Sequence, residues 1–104
     1  MAYKVFKYEV NLGRVGSVGT VMPQGARILS VQVQPVDLGL GAHRNVVMLW
    51  ALVDENAKQA RRLITGYDTG LALPNGDPGK FIGTVQLQGG ALVLHFFDEG
   101  EARD

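Results

Sequence analysis

Apolar and polar residues alternate along residues 3–12 and 27–34, and residues 60–67 form a further predicted strand with Arg61 and Arg62 at its start. Because successive side chains of a strand point to opposite faces, this alternation predicts β-strands with one buried face. The side chains expected to face inward in the first two stretches are those of Phe6, Tyr8, Val10, Leu29, Val31 and Val33. A further short strand is predicted at residues 20–22, where Pro23 ends it, and Pro35 is expected to end the strand at 27–34.

Residues 46–53 are apolar at every position, so both faces of this predicted strand carry hydrophobic side chains. Such a strand is either covered on both sides by the chain itself or covered on its second side by a partner. If the second face is exposed in the monomer, Met48 and Trp50 are the anchors expected at an interface. The glycine-rich stretch before it, residues 36–45, is predicted to be a connection.

Two β-type runs near the C-terminus, residues 81–88 and 91–97, are joined by Gly89 and Gly90. Two glycines accept the positive φ angles of a primed hairpin turn. The predicted register places Leu87 opposite Leu92 and Ile82 opposite Phe97, with Gly83 either under a cross-strand ring or at a bulge. The side chains expected on the buried face are those of Phe81, Val85, Leu87, Leu92, Leu94 and Phe96. The other face is mixed and carries His95 and Phe97.

Six to seven short strands separated by glycine, proline and asparagine turns predict an all-β fold, a small antiparallel sandwich or barrel. The 104 residues suffice for one core, so residues 1–97 are expected to form a single domain. The stretch 98–104 is rich in charge and is predicted to be a flexible tail.

Ten basic and ten acidic residues give a formal net charge of zero. We therefore expect no general binding to nucleic acid or to an anionic membrane, whereas weak repulsion between copies favours a homo-oligomer. The absence of cysteine excludes disulfides and a thiol nucleophile and favours a reducing compartment. The N-terminal residues lack the apolar core of a signal peptide, and no apolar run approaches the about 20 residues that span a bilayer.

No motif in the chain predicts catalysis, a metal or a cofactor. The loop from Gly13 to Gly19 contains repeated glycines but lacks the following helix of a phosphate-binding loop. Neither Ser17 nor Ser30 lies in a nucleophile elbow, and the two histidines have no carboxylate at metal-ligand spacing. We therefore expect a non-enzymatic protein.

Arginines and aromatic residues are the remaining candidates for ligand binding. Guanidinium groups bind phosphate in a bidentate manner, and together with Lys80 they would form an anion-binding patch. The alternative is that these arginines are solvated charges that protect strand edges. Arg61 and Arg62 are adjacent on a strand, so only one of them can serve a given surface. The candidate ligand-binding residues are Arg27, His43, Arg44, Arg61, Arg62 and Tyr67, and the candidate interface residues are Met48, Trp50, His95 and Phe97.

Three blocks of sequence carry a resemblance. Residues 23–34 have the pattern Pro-x-Gly-Ala-x-Ile-Leu-Ser-Val-Gln-Val-Gln, residues 49–54 read Leu-Trp-Ala-Leu-Val-Asp, and residues 83–97 have Gly-Thr-x-x-x-x-Gly-Gly-Ala-Leu-Val-x-His-x-Phe. In these blocks the chain resembles a family of small, uncharacterised proteins encoded by tailed bacteriophages and prophages. Residues 66–74 depart from the Gly-Thr-Gly-His-x-Leu-Pro pattern of that family, so no role of its loop histidine is carried over.

The resemblance implies a phage context and no catalytic residue. In that context we expect a self-associating binding module, in its sharpest form an inhibitor of host defence that sequesters a nucleotide second messenger between subunits. A host protein is the other class of partner, and the host cytoplasm is the expected location. The alternative is a structural or assembly accessory of the virion.

Overall fold

The computed structural model describes residues 2–10, 18–73 and 77–102. These ranges contain seven β-strands and a single 3-10 turn at Gln88–Gly90. The strands are β1 (Tyr3–Val10), β2 (Val18–Pro23), β3 (Arg27–Gly39), β4 (Ala42–Asp54), β5 (Gln59–Asp68), β6 (Lys80–Leu87) and β7 (Leu92–Glu101). The expected strand end at 11–12, the glycine loop from 13 to 17 and the turn at 74–76 lie outside the described residues.

The strands form two antiparallel sheets, which confirms the predicted all-β class. One sheet has three strands in the order β1-β4-β3, and the other has four in the order β2-β5-β7-β6. The buried apolar side chains of both sheets form one core cluster, as in a small β-sandwich. No helix within the described ranges is long and apolar enough to cross a membrane.

The centre of the core is the inward face of β4. Val47, Leu49, Ala51 and Val53 are each at most 1 % exposed. Their strand neighbours continue this layer on both sides, since Leu49 lies opposite Tyr8 on β1 and opposite Val31 on β3. The prediction of a central strand at residues 46–53 is therefore confirmed. The alternate residues Met48, Trp50 and Leu52 face away from the core and are half-buried, and Val46 in the same row is buried.

The C-terminal hairpin has the predicted turn, and its register is as predicted from Gly83 to the turn. Gly89 (φ 66°, ψ 23°) and Gly90 (φ 93°) both have positive φ, and the Ala91 N–H donates to the Gln88 carbonyl oxygen at 3.2 Å. These values are typical of a type I′ turn, in which two glycines are free of the Cβ clash that other residues meet. Leu87 pairs with Leu92, as the two-residue loop requires.

Two bulges correct the predicted burial of individual side chains. The pairing of β3 with β4 skips Leu29, which is exposed, while Ile28 packs against the core. The pairing of β6 with β7 skips Ile82, so Phe81 lies opposite Phe97 and is 54 % exposed. A bulge inserts one residue and shifts the following side chains to the other face, so the expectations for Leu29, Phe81 and Ile82 are wrong.

Phe6 is also more exposed than expected. It lies opposite Ala51 on the inward side of β1, but on this edge strand the core cluster reaches only Tyr8 and Val10.

The predicted connection at 36–45 is instead the end of a long hairpin. β3 continues through Pro35 to Gly39, and β4 begins at Ala42. Proline is tolerated because β3 pairs with a strand on one side only. Within the described residues the pairing of β1 with β4 ends at Val47, and there residues 35–45 form a two-stranded ribbon, called the arm below, with exposed Leu38 and Leu40 near its tip.

The prediction of a flexible tail at residues 98–104 is wrong for residues 98–102. Asp98 to Glu101 belong to β7, and the Ala102 N–H donates to the Arg61 carbonyl oxygen at 2.7 Å. Asp98 is buried, because it continues the inward-facing alternation of Leu94 and Phe96. Residues 103 and 104 lie outside the described ranges.

Gly66 provides a test of the packing inside the four-stranded sheet. A Cβ at Gly66 would be 2.7 Å from Cε1 of Phe96, whose ring is fully buried and cannot move aside. We expect Gly66→Ala to lower the free energy of unfolding by about 1–3 kcal/mol, measured by urea unfolding. In a Phe96→Leu background the same substitution should cost less, because the clashing ring is gone. Equal costs in both backgrounds would contradict the packing.

Candidate functional site

A cavity of about 290 Å³ opens between the two sheets at one end of the sandwich. It lies where the turn between β2 and β3 comes closest to the ends of β5, β6 and β7. The lining residues are Gly25, Ala26, Arg27, Ile28, Arg62, Lys80, Ile82 and Asp98. We call this site the basic pocket, because three of these residues are cationic and one is acidic.

Strand alternation positions the charged side chains of the basic pocket. Arg62 is two residues before the fully buried Ile64 on β5, so it faces inward with it. Asp98 lies opposite Ile64 on β7, and Lys80 lies opposite Asp98 on β6. The inward faces of three neighbouring strands therefore bring these side chains together at the point where the apolar core ends.

Arg62 and Asp98 form the best-ordered contact of the basic pocket. The Arg62 Nε donates to Asp98 Oδ1 at 2.9 Å, and Nη2 donates to Oδ2 at 2.8 Å. Arg62 Nη1 also donates to the Ala26 carbonyl oxygen at 2.7 Å. Since Ala26 belongs to the turn between β2 and β3, this arginine ties that turn to the four-stranded sheet. The side chains of Arg62 and Asp98 are only 14 % and 7 % exposed.

The surroundings of Asp98 favour its charged form. Burial alone would raise the pKa of this carboxyl. The hydrogen bonds from Arg62 and from the Gly100 N–H, together with the charges of Arg62 and Lys80, outweigh burial and hold the pKa of Asp98 below its ordinary value. The basic pocket therefore contains one carboxylate against three cations, and its formal charge is positive.

Arg27 lines the basic pocket at its rim. It begins β3 opposite Leu52, which belongs to the outward-facing row of β4. Its side chain is exposed, in contrast to the inward-facing Arg62.

The other candidate ligand-binding residues lie elsewhere. Arg44 and His43 are on the arm, and Arg44 forms an ion pair with Glu9 at 3.7 Å. Arg61 faces outward on the four-stranded sheet, where its methylene groups cover Gly19. The structure thus places Arg61 and Arg62 on opposite faces, and only Arg27 and Arg62 of the six candidates share the basic pocket.

Tyr67 lies on the outward face of the four-stranded sheet within a group of aromatic rings. Its ring packs edge-on against that of Phe97, with the ring centroids 5.9 Å apart. The ring of Phe81 packs against Phe97 in the same way, with the centroids 5.5 Å apart. Burial and the nearby charge of Glu99 raise the pKa of the Tyr67 hydroxyl. Because the basic pocket lies on the inward side of this sheet, Tyr67 is not part of it.

The four candidate interface residues divide between two surfaces. Met48 and Trp50 face outward on the three-stranded sheet, whereas His95 and Phe97 face outward on the four-stranded sheet. Both nitrogens of His95 are within hydrogen-bond distance of threonine hydroxyls, Thr69 Oγ1 at 2.7 Å and Thr84 Oγ1 at 2.9 Å. No cluster of three potential metal-ligating side chains occurs in the described part of the chain.

Sequence reasoning missed Asp98 as part of the site. Its assignment to a charged tail hid the alternation that continues from Leu94 through Phe96 to Asp98. That alternation was the available signal, because a carboxyl on an apolar face requires a buried cationic partner.

The pair formed by Arg62 and Asp98 makes stability depend on pH. The folded pKa of Asp98 lies below its ordinary value of 3.8, so its contribution is present above that pH and is lost as the pH falls through the folded pKa. Asp98→Asn should lower the free energy of unfolding at pH 7 by about 2 kcal/mol or more, because Arg62 loses its counter-charge. The difference in the free energy of unfolding between Asp98→Asn and the wild type, measured by chemical denaturation, should become smaller below about pH 4.

Asp37→Asn is the matched control for this measurement. Asp37 also accepts a hydrogen bond from the backbone N–H two residues later, at 2.8 Å, but it is exposed on the arm. This control should change stability by less than about 0.5 kcal/mol. A similar loss in both variants, or a loss in Asp98→Asn that does not change with pH, would contradict the role given to the ion pair.

Comparison with known proteins identifies the family. Searches among curated proteins and among solved structures find no significant match. A family model described as a domain of unknown function, DUF7352, matches residues 1–104, the whole of the chain. The chain therefore belongs to the DUF7352 family.

Proposed function

We propose that this protein is a non-enzymatic binding module that self-associates and holds a small phosphate-bearing anion in the basic pocket. The observation that carries the proposal is the convergence of Arg27, Arg62 and Lys80 around one cavity with a single carboxylate. Cationic side chains at the mouth of a concave site favour anionic ligands.

Arg62 is suited to bind a phosphate because its orientation is already fixed. A guanidinium has five N–H donors, and the contacts with Asp98 and Ala26 use three of them. The two remaining donors are available to a ligand without a change of side-chain conformation. Lys80 adds a mobile point charge, and Arg27 adds a second guanidinium at the rim.

The size of the basic pocket limits the ligand. About 290 Å³ is at the lower end of the range for small-molecule sites. The pocket has room for a phosphate with part of a sugar, while a whole cyclic dinucleotide or ADP-ribose would extend out of it. A nucleotide second messenger would therefore place a phosphate in the pocket and the rest of the molecule at its mouth.

The biological function proposed for this site is sequestration of a nucleotide second messenger. It is supported by the resemblance to phage-encoded proteins together with the basic pocket. An inhibitor of host defence of this kind needs binding and no catalysis, so a rigid β-sandwich suffices as its scaffold.

The proposal is tested by thermal shift and calorimetry with inorganic phosphate, ADP-ribose and a panel of cyclic dinucleotides. A ligand at 100 times its dissociation constant should stabilise the protein by about 2.7 kcal/mol. Lys80→Gln should weaken the binding about tenfold, because it removes a charge next to the ligand, and added salt should weaken it further.

Arg61→Gln is the matched control, since Arg61 carries the same charge but faces outward on the four-stranded sheet. The affinity of the Arg61→Gln variant for the anion should equal that of the wild type. The proposal is refuted if no anion in the panel binds, or if Lys80→Gln and Arg61→Gln bind equally well. Arg62→Ala is unsuitable as the primary variant because Arg62 also stabilises the fold.

A role as a virion assembly accessory is a second candidate, and the arm favours it. Two-stranded ribbons are at best marginally stable alone in water, and the exposed Leu38 and Leu40 place apolar surface near the tip. Recovery of the protein in stoichiometric amounts from purified virions would support this function, while its absence there would exclude it.

A further inference from the structure

The outward face of the three-stranded sheet is an apolar surface that is only partly covered: Val46, next to the arm, is buried, whereas the rest of its row is not. Met48, Trp50 and Leu52 of β4 lie at its centre and are half-buried. On the adjacent edge strand, Tyr3 and Val5 are 58 % and 55 % exposed. We call this surface the outer face, and it carries charged and polar side chains from β1 and β3 beside the apolar ones.

Two neighbouring rows across the outer face have complementary chemistry. In the first row, Lys7 lies opposite Trp50, which lies opposite Ser30. In the second row, Glu9 lies opposite Met48, which lies opposite Gln32. All six residues face outward, since their neighbours on β4, Val47, Leu49 and Ala51, are buried in the core.

We propose that two copies of this chain pack outer face to outer face about a two-fold axis that crosses the strands between these two rows. Such an axis lays β1 of one copy antiparallel over β1 of the other. It brings the first row of each copy onto the second row of its partner. The interface is then isologous, and every contact occurs twice.

The chemistry of the two rows is what selects a second copy as the occupant. Lys7 of one copy meets Glu9 of the other, so opposite charges come together twice at the β1 end of the axis, once on each side of it. Trp50 meets Met48, a ring and a thioether that attract each other. Ser30 meets Gln32, which supplies hydrogen-bonding partners for both. A rotation that placed either row on itself would instead oppose like charges.

The arm supplies area that the outer face alone lacks. Three strands of about eight residues give a face of roughly 14 by 26 Å. This is smaller than the ~800 Å² that each partner buries in a standard interface. In the proposed arrangement each arm extends past its own sheet and over the far end of the other copy.

The outward face of the four-stranded sheet is less suited to a second copy. The rings of Tyr67 and Phe81 each already pack edge-on against Phe97. The inference rests on the self-association contained in the proposed function, but it does not depend on the anion site.

A charge-swap experiment tests the interface. Light scattering and sedimentation equilibrium should show the wild type as a dimer, twice the 11.2 kDa of one chain. Lys7→Glu and Glu9→Lys should each raise the dissociation constant of the dimer about tenfold or more, because each places like charges in contact at two symmetric positions. The double variant Lys7→Glu/Glu9→Lys should return it to within about threefold of the wild type.

Arg61→Glu is the control for a change of net charge. Arg61 is exposed on the outward face of the four-stranded sheet, on the opposite side of the sandwich from the outer face, and its substitution should leave the dissociation constant unchanged. The wild type is measured at concentrations that increase in 100-fold steps up to millimolar. If it is monomeric at all of them, the inference is overturned. A dimer that the single substitutions leave intact, or one that the double variant fails to restore, also overturns it.

Phosphate binding measured on the same samples separates this inference from the anion site. A monomer that binds phosphate overturns the interface alone, whereas a dimer with the expected charge-swap pattern that binds no anion overturns the anion site alone.

Discussion

The structure depends on the burial of one row of side chains, the inward face of β4. Val47, Leu49, Ala51 and Val53 are almost completely removed from water. Each fully buried valine or leucine of this row contributes about 1.5–3 kcal/mol, so the row is a large part of what holds the two sheets together. Because strand side chains alternate, burying one row commits the other row, with Met48 and Trp50, to the opposite side. The core and the outer face are thus two consequences of one register.

The basic pocket is set by where this core ends. Val31 of β3 approaches the opposite sheet so closely at Gly83 that a Cβ there would be 2.6 Å from Val31 Cγ1. At the basic pocket, Arg62 is held by Asp98 of its own sheet and donates to the Ala26 carbonyl oxygen of the turn that leads into the other sheet. A buried ion pair is costly to desolvate, so it contributes less to net stability than to fixing one arrangement of the turn. Arg62 and Lys80 also line the cavity, which is why a structural contact and a candidate binding site coincide here.

Local sequence patterns predicted the parts of the fold that depend on local chemistry. The turn at Gly89 and Gly90, the central strand and the opposite orientation of Arg61 and Arg62 follow from φ preferences and alternation. The bulges at Leu29 and Ile82 could not be predicted from the sequence. A residue is inserted only relative to the partner strand, so the sequence of the bulged strand alone does not indicate it. The basic pocket was only partly predictable for the same reason. Arg62 and Asp98 are 36 residues apart, and only the strand order β5-β7 makes them neighbours.

The central claim is that the outer row of β4 is a surface for a second copy of the chain. Trp50 is the only tryptophan, so its fluorescence reports on this row alone. The most direct measurement is its emission maximum and its quenching by acrylamide as the protein is concentrated from nanomolar to high micromolar. The account predicts a blue shift and weaker quenching as the dimer forms, because the indole is removed from water. Emission and quenching that stay constant while light scattering shows association would contradict it.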